Sequence, residues 1–129
     1  MKELLGRLEE EPIKNVRFTK GWISLEYDGK KLKNQIVIEK HQVFVGRWDL
    51  DINIVYLDDD LEGIDMEAVA VHETIEKYVS QNYGLDPYEE AHEIATFKEK
   101  EFIEKNKGNW QSHQIIVGKI WKKESKRSH

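Results

Sequence analysis

The sequence predicts one α+β domain: a small, mostly antiparallel sheet followed by two packed helices. Three observations carry that reading. Residues 22–39 alternate apolar and polar side chains about an Asp28-Gly29 turn, the pattern of a β-hairpin. Residues 65–83 switch to a helical period. Gly84 and Asp86-Pro87 then supply a stop and a fresh start within a few residues, so a second helix lies beside the first. A chain of 129 residues fits one core, read as an N-terminal helix and sheet over 1–64, a helix pair over 65–106 and a C-terminal segment over 107–129.

Taken in order, residues 2–10 form a short helix with Leu4, Leu5 and Leu8 on one side, ended by Pro12. Val16-Arg17-Phe18 is an additional candidate strand. Across the hairpin, Ile23, Leu25 and Tyr27 share one face, and Leu32, Asn34, Ile36 and Ile38 share another. Val43-Phe44-Val45 reads as a short third strand. Residues 51–57 read as a fourth, with Ile52, Ile54 and Tyr56 facing one way. Asp58-Asp59-Asp60-Leu61-Glu62-Gly63 is a solvated acidic connector, and Asp65 is the expected cap of the next helix. Asp49-x-Asp51-x-Asn53 opens like a calcium loop, but Ile54 stands where that loop requires glycine, so calcium is set aside.

On the first long helix, at about 100° per residue, His72 and Glu76 fall within the apolar stripe of Ala68, Val69, Ile75, Val79 and Tyr83. Glu67, Thr74, Lys77 and Gln81 form the opposite, wet side, and Glu73 sits at the stripe's edge. The second helix is expected to start with Asp86 as N-cap, Pro87 in first position and Glu89 closing a capping box. His92 and Glu99 then share its apolar arc with Tyr88, Ala91, Ala95, Phe102 and Ile103, and the small alanines allow close approach. Residues 106–109 end this helix. Residues 114–121 fit either a helix or a strand, with a helix beginning near Asn109 favoured, and the chain runs into a basic, solvated end carrying Lys119, Lys122, Lys123, Lys126 and Arg127 against Glu124.

Composition narrows the chemistry. There is no cysteine, which excludes disulfide scaffolds, thiolate zinc sites and thiol catalysis. Any metal is therefore held by His and carboxylate. The formal net charge of −5 disfavours nucleic acid as a partner. No apolar run approaches the roughly 20 residues of a membrane span, and the opening residues are too briefly apolar for a signal peptide, so a cytoplasmic protein is expected.

Two neighbouring helices thus each direct a His and a Glu into a shared interface. An unpaired carboxylate there is costly, so the pattern calls for a cation. His72 and Glu76, at i and i+4, can ligate one ion, with His92 as third ligand and the fourth position left to water. Zinc, or another divalent metal, lowers the pKa of such a water toward about 7. Glu73 is placed to take its proton, and Glu99 or Glu89 to orient His92 by a hydrogen bond to its ring, or Glu99 to close the site as fourth ligand.

Val71-His72-Glu73-Thr74-Ile75-Glu76 resembles the H-E-x-x-H active-site helix of zincin metallopeptidases, with Glu76 in place of the second His. In the thermolysin-like, or gluzincin, branch the third ligand is a Glu on a following helix, and that position resembles His92 within Ala91-His92-Glu93-Ile94-Ala95. The whole pattern is similar to minimal zincin-like proteins of phage and prokaryotes. The resemblance covers residues 71–99 closely and 50–103 loosely. It implies a zincin-like fold, a zinc-dependent hydrolase acting on a peptide or protein, and a sheet edge that pairs with extended substrate. Tyr83, Tyr88 and His113 are the candidates for the family's transition-state group.

Three other readings stay open. One is an interhelical His–Glu hydrogen-bond network without metal. Another is a non-enzymatic metal-binding or interaction module on the same scaffold. The third starts from Glu89-x-x-His92, which matches one half of a di-iron signature that Glu73, Glu76 and Glu99 would complete.

Overall fold

The structure, a computed structural model, describes residues 2–40 and 45–127, with side chains through Lys123. The fold is α+β. Helix α1 (Lys2–Glu10) precedes strands β1 (Lys14–Thr19), β2 (Trp22–Tyr27), β3 (Lys30–Glu39), β4 (Gly46–Trp48) and β5 (Ile54–Asp58), followed by helices α2 (Gly63–Tyr83), α3 (Glu90–Lys105) and α4 (Trp110–Arg127). The sheet order is β1-β2-β3-β5-β4, antiparallel throughout except for the parallel pair β3–β5. The two edges are therefore β1 and β4. Among the described residues no helix is long and apolar enough to cross a membrane.

The hairpin forms as its sequence requires. Asp28 (φ 54°) and Gly29 (φ 71°) both occupy the left-handed region that a two-residue turn between twisted strands needs. Ile23, Leu25 and Tyr27 point into the core. Val16 and Phe18 pack against it from β1, the additional strand.

The second half of the sheet departs from expectation. Val43 and Phe44 lie outside the described residues; Val45 is buried, and the strand runs over Gly46–Trp48. The last strand starts at Ile54, because Asp51 adopts a left-handed φ of 62° and interrupts the alternation. Val55 and Leu57, both 0% exposed, face the helices, whereas Ile52 precedes the strand and is 40% exposed. A one-residue difference in register exchanges the two faces of a strand. The acidic connector is not fully solvated either: Asp58 is buried, and its Oδ1 accepts the Asp60 amide at 2.8 Å.

Helix α2 is the centre of the molecule, between the sheet and α3. Every side chain from Ala68 to Val79 is buried, so Thr74 and Lys77 on the side expected to be wet lie inside, whereas Gln81 is exposed and Glu67 half-buried. Thr74 Oγ1 accepts a hydrogen bond from Asn34 of the sheet at 3.3 Å. Lys77 Nζ donates to the Asp49 carbonyl at 3.0 Å and to Gln81 at 3.2 Å. The helix begins two residues before Asp65, so Asp65 sits in its first turn rather than at its cap. Gly84 ends it in the left-handed conformation (φ 67°), with its N–H on the Ser80 carbonyl at 3.0 Å.

Helix α3 starts at Glu90 with Glu89 at its N-cap, three residues later than the expected Asp86, and the capping box does not form. Asp86 instead builds a turn. Its Oδ1 accepts the Tyr88 amide at 2.8 Å, and its carbonyl accepts the Glu89 and Ala91 amides at 3.1 Å each. The same side-chain chemistry that caps helices also makes Asx turns, and here the turn wins. Tyr88 is consequently off the helical stripe, 82% exposed. The buried face of α3 carries Ala91, Ile94, Ala95, Lys98, Phe102 and Ile103, with His92 at its margin. Helix α4 begins where expected, with Asn109 Oδ1 accepting the Ser112 amide at 2.9 Å. Lys119, Lys122 and Lys123 are exposed, and the side chains of Lys126 and Arg127 lie outside the described residues.

Candidate metal centre

The inward side of α2 faces α3 across a close contact that Ala91 and Ala95 permit. His72 and Glu76, one helical turn apart, converge there. His72 Nε2 lies 3.0 Å from Glu76 Oε2. From α3, His92 Nδ1 reaches the same oxygen at 3.2 Å. The two rings meet edge-on, 4.8 Å between centroids. One donor atom from each of the three residues lies within 4.8 Å of the others, an arrangement that can hold a metal ion. Metal–ligand bonds of about 2.0–2.1 Å place tetrahedral ligand atoms about 3.4 Å apart. The spacings of 3.0 and 3.2 Å are close to that edge length, so the donor set fits. His72 and Glu76 are buried, while the His92 side chain is 56% exposed, at the margin of the site.

Glu76 is held by a residue the sequence did not single out. Trp48, on edge strand β4, donates its indole N–H to Glu76 Oε1 at 2.9 Å, leaving Oε2 for the histidines. No helical periodicity connects a tryptophan 28 positions upstream to this carboxylate. Burial opposes ionisation of Glu76, but hydrogen bonds from His72, His92 and Trp48 overcome it and pull the carboxyl down to about 2.

Glu99 pairs with His72, not with His92 as expected. Its Oε1 lies 2.8 Å from His72 Nδ1, the ring nitrogen opposite the one facing Glu76. Its Oε2 accepts a hydrogen bond from His113 Nε2, and His113 Nδ1 lies 2.7 Å from Asp65 Oδ1. This arrangement turns Glu99 away from the donor cluster and into the orienting position that metal-bound histidines commonly require. Burial disfavours a charged His72, yet hydrogen bonds to Glu76 and Glu99 raise its pKa well above the ordinary value. Burial likewise opposes ionisation of Glu99, but His113 and His72 lower its pKa.

Glu73 Oε2 lies 3.8 Å from His72 Nε2. Burial pushes its carboxyl up to about 8, against the pull of His72 and with the repulsion of Glu76 and Glu99 adding to the rise. Gly46 of β4 packs directly on it: a Cβ there would stand 2.8 Å from Val69 Cγ1 and 3.0 Å from Glu73 Cγ.

These groups line a cavity of about 900 Å³, walled by β4 on one side and by α4 on the other through Trp110, His113, Val117 and Trp121. Exposed Leu50, Tyr88 and Trp121 stand at its rim. Of the candidate transition-state groups, His113 lines the cavity with both nitrogens engaged, and Tyr88 lies at the rim. Tyr83 is elsewhere, hydrogen-bonded to Asp28 and Arg7. Glu89 is exposed on the turn before α3, away from the donor group that a di-iron reading needs it to join. Asp58, Asp59 and Asp60 form a second close group of carboxylates, where Lys123 pairs with Asp60 at 2.7 Å. In comparisons with known proteins, no family model, curated protein or solved structure matches the chain.

Proposed function

We propose that this chain is a zincin-like, zinc-dependent hydrolase acting on peptides or proteins, with His72, Glu76 and His92 as ligands and Glu73 as general base. One observation carries the reading. The three donors converge beside a cavity of about 900 Å³, while Glu99, the residue best placed in sequence to close the site, is occupied on the far nitrogen of His72. A three-donor set with an open position is the catalytic rather than the structural pattern.

When bound, zinc supplies Lewis acidity and a water ionised near about pH 7. The chain's own residues do the rest. Glu99, 2.8 Å from His72 Nδ1, would keep a proton on that nitrogen and leave Nε2 as the one that holds an ion. Trp48 fixes Glu76 so that one oxygen faces inward. Glu73, protonated in the metal-free state, ionises once a cation sits nearby, accepts the proton of the attacking water and passes it to the leaving amine. Edge strand β4 offers backbone groups to an extended chain laid along the cavity.

Glu73→Gln is expected to abolish hydrolysis and leave about one zinc per chain, whereas His72→Ala and His92→Ala lose the metal, as read by elemental analysis and peptide cleavage. Loss of metal in Glu73→Gln would instead make Glu73 a ligand.

A second reading, a non-catalytic module, is favoured by one observation. Without an ion, Glu76 and Glu99 are already satisfied by His72, His92 and His113. Zinc bound without cleavage would decide for a metal-binding module, and absence of metal uptake from added zinc for a metal-free His–Glu network.

A further inference from the structure

We propose that His113 is a positioning residue of the metal centre: from α4, seated between Asp65 and Glu99, it holds Glu99 in the orientation that fixes His72 for the metal. The inference rests on the reading of His72, Glu76 and His92 as ligands, and extends it to a helix outside the ligand set.

The contacts form a closed ring. Asp65 in the first turn of α2 meets His113 of α4 at 2.7 Å. His113 meets Glu99 of α3 through its other nitrogen, and Glu99 returns to His72 of α2 at 2.8 Å. Both oxygens of Glu99 are thereby engaged, one by each histidine, so the carboxylate has little freedom to rotate. His113 is itself 2% exposed, with the Trp110 ring at 5.5 Å between centroids. Each ring nitrogen faces a carboxylate, which only accepts, so His113 donates from both nitrogens and is an imidazolium. Burial works against that charge, but Glu99 and Asp65 prevail and raise its pKa.

A buried ion pair is weak evidence of a stabilising role by itself, because desolvation offsets much of its attraction. Positioning gives the arrangement a purpose that can be separated from charge. Removing a cation near a metal site strengthens metal binding by relieving Coulomb repulsion. Removing a group that orients the partner of a ligating histidine weakens it, typically by about 10–100-fold. The two effects have opposite signs.

The test is zinc affinity, measured by competition with a chromophoric chelator on the full chain, for wild type, His113→Leu and His113→Gln, with metal-free melting as a control for folding. The cobalt-loaded absorption spectrum reports the ligand geometry. His113→Leu should bind zinc about 10–100-fold more weakly and broaden or shift the cobalt bands. His113→Gln removes the charge but keeps an N–H for Glu99, and should bind at least nearly as tightly as wild type. Equal or tighter binding by folded His113→Leu would overturn the inference, as would a His113→Gln as weak as the leucine variant. If His113→Leu does not fold, Asp65→Ala frees one side of the ring and should weaken zinc in the same direction; unchanged affinity would overturn the inference. Wild type that takes up no zinc would bring down the ligand reading itself, a different result from wild type that binds and variants that do not differ.

Discussion

Glu73 keeps its proton in the metal-free fold up to about pH 8, because burial and two neighbouring carboxylates outweigh the attraction of His72. Its folded pKa lies above the ordinary 4.5, so the stability it contributes is fully present below 4.5 and is lost as pH rises through about 8. His72, also raised, loses its contribution in the same direction. Glu73→Gln cannot ionise. In chelator, its stability relative to wild type should therefore increase between about pH 5 and about pH 8.5, read from denaturant midpoints; a constant difference across that range would show that Glu73 ionises freely. Gly46 sets the other side of the same residue. Gly46→Ala forces its Cβ against Val69 and Glu73 and should cost about 1–3 kcal/mol by overpacking, with catalytic activity falling further than zinc affinity. Unaltered stability and cleavage would mean that β4 yields. His72, Glu73, Glu76 and His92 were legible as a group because i, i+4 spacing and a nearby second helix are local facts. Trp48 and Gly46 were not, since a sheet-to-helix contact leaves no periodic trace in either segment.

At the scale of elements, the Asp28-Gly29 turn does more than reverse the chain. Asp28 pairs with Arg7 of α1 at 2.6 Å and accepts hydrogen bonds from Tyr78, at 2.8 Å, and Tyr83 of α2. It also tolerates a φ of 54° that alanine does not favour. Asp28→Ala should cost about 3 kcal/mol from lost charge-assisted bonds and left-handed strain together. Asp28→Asn, which accepts the same φ, should cost less, as judged by urea unfolding. Equal losses would assign the whole effect to charge. The D-G pair announced this turn from sequence, but its grip on two helices depends on Arg7 of α1, 21 positions away, and on Tyr78 and Tyr83 of α2, 50 and 55 positions away. The start of α3 shows the converse. Asp86 is a good N-cap in isolation, yet its side chain closed a turn instead, and the helix began at Glu90.

At the scale of the whole molecule, the donor group of His72, Glu76 and His92 joins α2 to α3, and the chain through Glu99 and His113 extends that tie to α4. An ion bound only by the folded state stabilises all of it. Zinc at a hundredfold excess over its Kd should raise unfolding free energy by about 2.7 kcal/mol, reversibly with chelator. No shift in the midpoint would mean that the donors do not bind an ion in the native fold.

The sequence by itself determined the α+β class, the hairpin, the stop at Gly84 and the nearness of His72, Glu76 and His92, and it favoured the extra strand and the start of α4. Each depends on periodicity, turn chemistry or a short connection, all of which act within a few residues. Only the tertiary structure decided which face of the last strand is buried, that Thr74 and Lys77 lie inside, that Glu99 serves His72, and that α4 brings His113 against Glu99. Those outcomes follow from which surfaces are left to cover once α2 is enclosed between sheet and helix. That competition for burial is settled across the whole core, and no single segment encodes it.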